Sequence, residues 1–117
     1  MTADGDGPAE EASGSVRAAP EAVDPSVIAE LFAVIEDRKE RRPEGSYTAS
    51  LFDHEKGENA VLEKLGEETT ELVLAAKDDD RAELAHEAAD IVYHLLVLLS
   101  MKEMELADLL VELESRR

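Results

Sequence analysis

The chain has 117 residues, a net charge of −17 and no cysteine. That length holds one domain with a modest core, the charge excludes a nucleic-acid backbone as partner because phosphates are met by Lys and Arg, and the lack of cysteine excludes disulfides and thiolate metal sites. Apolar residues make up 44% of the chain but aromatics only 3%, so the core must be built from Ala, Leu and Val, which suits packed helices better than a β-sandwich.

The acidic residues are spread along the chain instead of being held in one tail. We read that spread as halophilic, a solubility adaptation to a salt-rich cytoplasm where self-repulsion is screened, in preference to nucleic-acid mimicry. No apolar segment of signal-peptide type follows Met1, and the longest apolar run, Leu95 to Leu99, is too short to span a bilayer. A soluble cytoplasmic protein with no membrane partner is the expectation.

Residues 1–24 are rich in Ala, Gly, Pro, Ser, Asp and Glu. They carry too little apolar surface to offset their ordering entropy and are expected to be a disordered acidic tail, leaving 25–117 as an all-α domain. Pro25-Ser26 opens a helix in which Val27, Ile28, Leu31, Phe32 and Ile35 recur at helical spacing. It should end near Arg41 or Arg42, because Pro43 restricts the residue before it and Glu44-Gly45 reads as a turn. Ser46 to Phe52 predicts one or two helical turns with Ser46 as cap. After Gly57, long helices are expected over about Glu58 to Lys77 and about Arg81 to Lys102, the second capped by Asp80. A last helix runs from about Leu106 to Ser115. The short acidic link Asp78-Asp79-Asp80 lets the two long helices fold back as an antiparallel hairpin.

Each long helix carries acid where a core helix should be apolar. At about 100° per residue, Glu68 falls inside the stripe formed by Val61, Leu65 and Leu72, with Lys64 and Glu71 on one flank and Glu67 further round. On the second helix, Leu84, Ala88, Ile91, Leu95 and Leu98 are taken as the core face. Glu87, Asp90 and His94 then form one stripe along its flank, and His86 lies on the surface. Glu68 with Glu71, and Glu87 with Asp90, are i, i+3 pairs, so each pair shares one helix face. Four converging carboxylates repel one another, and burial makes this worse. A hard divalent cation such as Mg²⁺ resolves the conflict through oxygen ligands while keeping waters free for a phosphate. A lone E-x-x-E is most often a solvated face, and His94 alone is more often a packed histidine than a ligand. A non-catalytic acidic helical module that binds partner helices is therefore the competing reading. Val92, Leu96, Val97 and Leu99 make the second long helix apolar on nearly all sides. A chain this short cannot cover such a helix, so a homodimer completing an antiparallel helical bundle is expected.

The run from Lys64 through Gly66-Glu67-Glu68-Thr69-Thr70-Glu71 to Leu72, with Ala75-Ala76-Lys77 and Glu87-Ala88-Ala89-Asp90-Ile91-Val92-Tyr93-His94-Leu95-Leu96, closely resembles the phosphoribosyl-ATP pyrophosphohydrolase family. Gly45-Ser46-Tyr47-Thr48-Ala49-Ser50-Leu51-Phe52 is similar to that family's G-S-Y-T segment, and the resemblance covers Val27 to the C-terminus. The double acidic pattern alone is shared with the wider MazG-type all-α nucleoside-triphosphate pyrophosphatases, which act on other nucleotides. The G-S-Y-T and A-D-x-x-Y-H-L segments favour the histidine-biosynthesis enzyme. Glu63 departs from the pattern, since family members often carry a second lysine there.

The resemblance implies hydrolysis of phosphoribosyl-ATP to phosphoribosyl-AMP and pyrophosphate, feeding a phosphoribosyl-AMP cyclohydrolase. In that reading Glu68, Glu71, Glu87 and Asp90 hold Mg²⁺, and Glu67 orients or deprotonates the attacking water. Lys64 meets a phosphate as a point charge. Arg38, Arg41 and Arg42 are further phosphate candidates, their alternative being a solvated helix end stabilised by its dipole. Ser46, Tyr47, Thr48 and His94 complete the candidate substrate contacts. For the hydroxyls of the G-S-Y-T segment the alternative is a helix cap and a packed ring.

Overall fold

A computed structural model describes residues 23–117. Five helices follow one another: α1 (Val27–Arg41), α2 (Tyr47–Phe52), α3 (Glu58–Lys77), α4 (Arg81–Met101) and α5 (Leu106–Glu114). No strand occurs among the described residues. The expected disordered tail lies outside them except for its last two residues.

The punctuation sits where the sequence puts it. Arg42 closes α1 in the left-handed region at φ 50, its N–H bonding the Arg38 carbonyl, and Pro43 forbids continuation. Ser46 Oγ accepts from Ala49 N–H at 3.1 Å and starts α2. Gly57, at φ 62, opens α3 in a conformation that a side chain would strain. The hairpin turn is a left-handed Asp79, with Asp80 N–H reaching back to the Ala75 carbonyl. Asp80 Oδ1 then accepts from Glu83 N–H at 3.0 Å and caps α4.

The core gathers Phe32 and Ile35 of α1, Leu51 of α2, Val61 of α3, and Tyr93, Leu96 and Val97 of α4. Lys39 ties α1 to the far end of α4 by donating to the Ser100 carbonyl at 3.0 Å. The face that α4 turns inward differs from the expected one. Tyr93, His94, Leu96, Val97 and Ser100 are buried, whereas Ala88 is exposed and Leu84, Ile91, Leu95 and Leu98 are only half-buried. Beyond Ile91 this helix is apolar on nearly all sides and has little there to fix its phase, so the stripe assigned to the core is the one this chain leaves partly open. By length and composition alone α4 could cross a membrane. Packed here as the central helix, with Glu87 and His94 turned inward, it is a core helix.

Candidate active site

The antiparallel hairpin sets α3 against α4 so that acids from both meet at their seam. Glu68 and Glu87 are buried at 6% and 4% exposure, and Asp90 is half-buried. Glu71 stands at the rim, exposed in this chain but hydrogen-bonded to Glu87, which also bonds Glu83. The other Glu87 oxygen, Oε1, is buried without any partner.

A buried carboxyl that lacks a countercharge holds its proton. Burial pushes Glu87 up to about 8, helped by hydrogen bonds that its protonated carboxyl donates to Glu83 and Glu71 and by the charges of Glu71 and Asp90. Burial likewise pushes Glu68 up to about 7, with Asp90 adding to the shift and Lys64 opposing it. Asp90 is raised by burial too, against the pull of His86 and Lys64. Buried oxygens with lone pairs to spare, crowded by other acids, are what a divalent ion with oxygen preference fits, so the residues present suit Mg²⁺.

His94 organises the seam from behind. It is fully buried, and burial lowers its pKa, so the ring is neutral. Its Nδ1 lies 3.1 Å from the Asp90 carbonyl, which can only accept, and 2.9 Å from Glu68 Oε1. The proton therefore sits on Nδ1, shared between the Asp90 carbonyl and Glu68 Oε1. Nε2 is then an acceptor, and Tyr47 OH donates to it across 3.3 Å. This corrects the expectation that His94 contacts substrate: with no exposed surface, it positions Glu68 instead. Replacing it by Phe keeps the ring volume and deletes the donor. We expect His94→Phe to weaken divalent-cation affinity and turnover together by about 10–100-fold, read by calorimetric titration and steady-state rates.

Two more substrate candidates are corrected in the same way. Ser46 is buried and spends its hydroxyl on capping α2. Thr48 is buried and hydrogen-bonded to Tyr93 OH, clamping α2 onto α4. Tyr47 is half-buried and lines a cleft of about 310 Å³ with Ser50, His54, Lys56, Lys64 and Glu67. Lys64 and the exposed Glu67, 3.9 Å apart, line that cleft, and the charge of Lys64 is felt by Glu68 and Asp90 of the seam. Lys56 reaches Glu63 at 3.0 Å, so the acid standing at the departing position neutralises a neighbouring cation.

The arginines lie elsewhere. Arg38 and Arg41 both pair with Asp37, at 2.7 and 3.3 Å. Arg42 pairs with Asp53, stacks over the Phe52 ring and lines a separate hollow of about 290 Å³ with Lys39 and Met101. None of the three lines the cleft beside the seam. Sequence reasoning missed His86. It is half-buried, with Nε2 3.4 Å from Asp90 Oδ2. The i, i+4 spacing to Asp90 was the available signal.

The profile of the family described as phosphoribosyl-ATP pyrophosphohydrolase matches residues 28–117. The phosphoribosyl-ATP pyrophosphatase of Haloarcula marismortui is 81% identical over 91 residues, covering 78% of this chain and 93% of the relative. The Natronomonas pharaonis protein of the same name is 82% identical, covering 78% and 90%. At greater distance, the Clostridium acetobutylicum protein of that name is 49% identical over 90 residues, covering 77% and 80%. An all-α hairpin with acids buried along its seam, matched over nearly the whole described domain, places the chain in the phosphoribosyl-ATP pyrophosphohydrolase family.

Proposed function

We propose that this chain hydrolyses phosphoribosyl-ATP to phosphoribosyl-AMP and pyrophosphate, with Mg²⁺ held by Glu68, Glu71, Glu87 and Asp90. The observation that carries the metal reading is the unpartnered Oε1 of Glu87 in a seam of acids that burial keeps protonated. Bound there, the ion would neutralise charge on the phosphate oxygens and on the departing pyrophosphate. His94 and Tyr47 hold Glu68 in place through the chain of hydrogen bonds described above. Lys64, at the mouth of the cleft, supplies a point charge to the phosphates. Glu67 is exposed at the same mouth, and there it orients or deprotonates the attacking water. The cytoplasm, where nucleotide substrates are made, is the compartment this activity fits, and a phosphoribosyl-AMP cyclohydrolase is the enzyme that would take the product.

The acting unit is proposed to be a homodimer. Leu62 and Val73 of α3, Val92 of α4, and Leu110, Val111 and Leu113 of α5 are all exposed in the single chain. Apolar surface on three helices supports burial against a second copy. Light scattering should give twice the 12.8 kDa chain mass, and Val111→Asp should shift the mass toward one chain.

The deciding assay is pyrophosphate release from phosphoribosyl-ATP with and without Mg²⁺, beside deoxynucleoside triphosphates. Release from phosphoribosyl-ATP alone, and only with the ion, is the expected result. Turnover of the deoxynucleotides instead would move the chain to a housekeeping role, and no turnover of any would leave an acidic binding module. A charge of −17 also gives a salt prediction. Raising KCl from about 0.1 M to about 2 M should screen the self-repulsion and raise the melting temperature by about 5–15 °C in a thermal scan.

A further inference from the structure

His86 has no place in the proposed chemistry, yet it stands inside the acidic seam. One oxygen or nitrogen from each of His86, Glu87 and Asp90 falls within a span of 4.8 Å. The contact of His86 Nε2 with Asp90 Oδ2, at 3.4 Å, is longer than a formed charge-assisted hydrogen bond. Both side chains are largely covered, at 14% and 13% exposure. The third member, Glu87, is buried and its Oε1 has no hydrogen-bond partner. Three donor atoms on adjacent turns of one helix, one of them buried and unpaired, make a ligand set that contains imidazole.

We propose that His86 is a nitrogen ligand of the divalent-cation centre, so that the centre takes Mn²⁺, and other cations that accept imidazole, more tightly than Mg²⁺. This rests on reading the seam as a metal site, and it adds a residue and a preference to that reading. Mg²⁺ is satisfied by carboxylates and water and gains little from a nitrogen donor. Affinity for a site that includes nitrogen rises along the first transition row from Mn²⁺, which accepts carboxylates as Mg²⁺ does and gains more from an added imidazole. Neither of the other histidines competes for the role. His94 has both ring nitrogens engaged, and His54 lies in the neighbouring cleft with Nδ1 accepting from Lys56 N–H.

The test is Mn²⁺ and Mg²⁺ titration of the full chain, together with pulsed electron paramagnetic resonance of bound Mn²⁺. The unsubstituted chain should show the modulation of a directly bound imidazole nitrogen and should prefer Mn²⁺. In His86→Ala and His86→Gln that modulation should vanish. Mn²⁺ affinity should fall about tenfold or more while Mg²⁺ affinity changes less than about threefold. Absence of nitrogen modulation in the unsubstituted chain, or its persistence in both variants, overturns the proposal. If Glu87→Gln abolishes Mn²⁺ binding in that case, the metal reading of the seam survives without His86. No Mn²⁺ or Mg²⁺ binding to the unsubstituted chain overturns both.

Discussion

Replacing Glu68 by Gln is expected to lower pyrophosphate release by about 1000-fold while leaving the chain folded, because the lost charge is worth several kcal/mol to a metal-assisted phosphoryl reaction and each tenfold costs about 1.4 kcal/mol. The change is close to isosteric. The amide oxygen can still accept from His94 Nδ1, which now sits 2.9 Å from Glu68 Oε1, so His94 and Tyr47 keep their partners. What disappears is a buried negative charge that desolvation and the charge of Asp90 already oppose. Without metal, at a pH above about 7, the variant should therefore melt at a higher temperature than the unsubstituted chain. Lost activity paired with gained apo stability separates a ligand from a structural residue, whose removal lowers both. Glu112→Gln is the control, an exposed acid paired with Arg116 on α5, and should change neither quantity measurably. Activity of Glu68→Gln within tenfold of normal would remove the seam from the mechanism.

Glu68 was legible in the sequence because it interrupts an apolar stripe on a helix with one clear face. The helix bounds were legible for a similar reason: Pro43, Gly57 and Asp80 are local punctuation with local consequences. The face of α4 was not legible. Ile91, Leu95 and Leu98 on one side and Leu96, Val97 and Tyr93 on the other compete equally for the core, and only the packing against α1 and α3 decides between them. That misphasing carried His86 to the surface in the sequence reading, although it lies against Asp90. Ser46, Thr48 and His94 stood as candidate substrate contacts beside a cap or packed alternative, because polarity alone does not distinguish an exposed donor from a buried, satisfied one. Thr48 and His94 find Tyr93 and Glu68 at separations of 45 and 26 residues. Pairings at that range leave no trace in helical periodicity.

The same seam makes stability depend on pH in a direction opposite to ordinary acid denaturation. Glu68 and Glu87 have folded pKa values of about 7 and about 8, above their ordinary 4.5. Between 4.5 and about 8 the folded chain therefore binds protons that the unfolded chain has released, and stability falls as pH rises through that window. The contribution is fully present below 4.5 and gone above about 8; Asp90, also raised, acts in the same direction. His94 opposes them. Its folded pKa is pushed below 6.5, so it adds stability above that value and loses it as pH falls. With Glu68 and Glu87 both titrating across this window, the metal-free melting temperature should drop by about 10 °C from pH 5 to pH 8 at constant high KCl. Mg²⁺ replaces the protons, so a saturating concentration should flatten that slope, and its binding at pH 7 should release about one to two protons per ion. Titration calorimetry in buffers of different ionisation enthalpy counts those protons directly. A melting temperature that stays level from pH 5 to pH 8 without metal, or Mg²⁺ binding with no proton release, would mean that the buried acids are not the countercharge the ion meets.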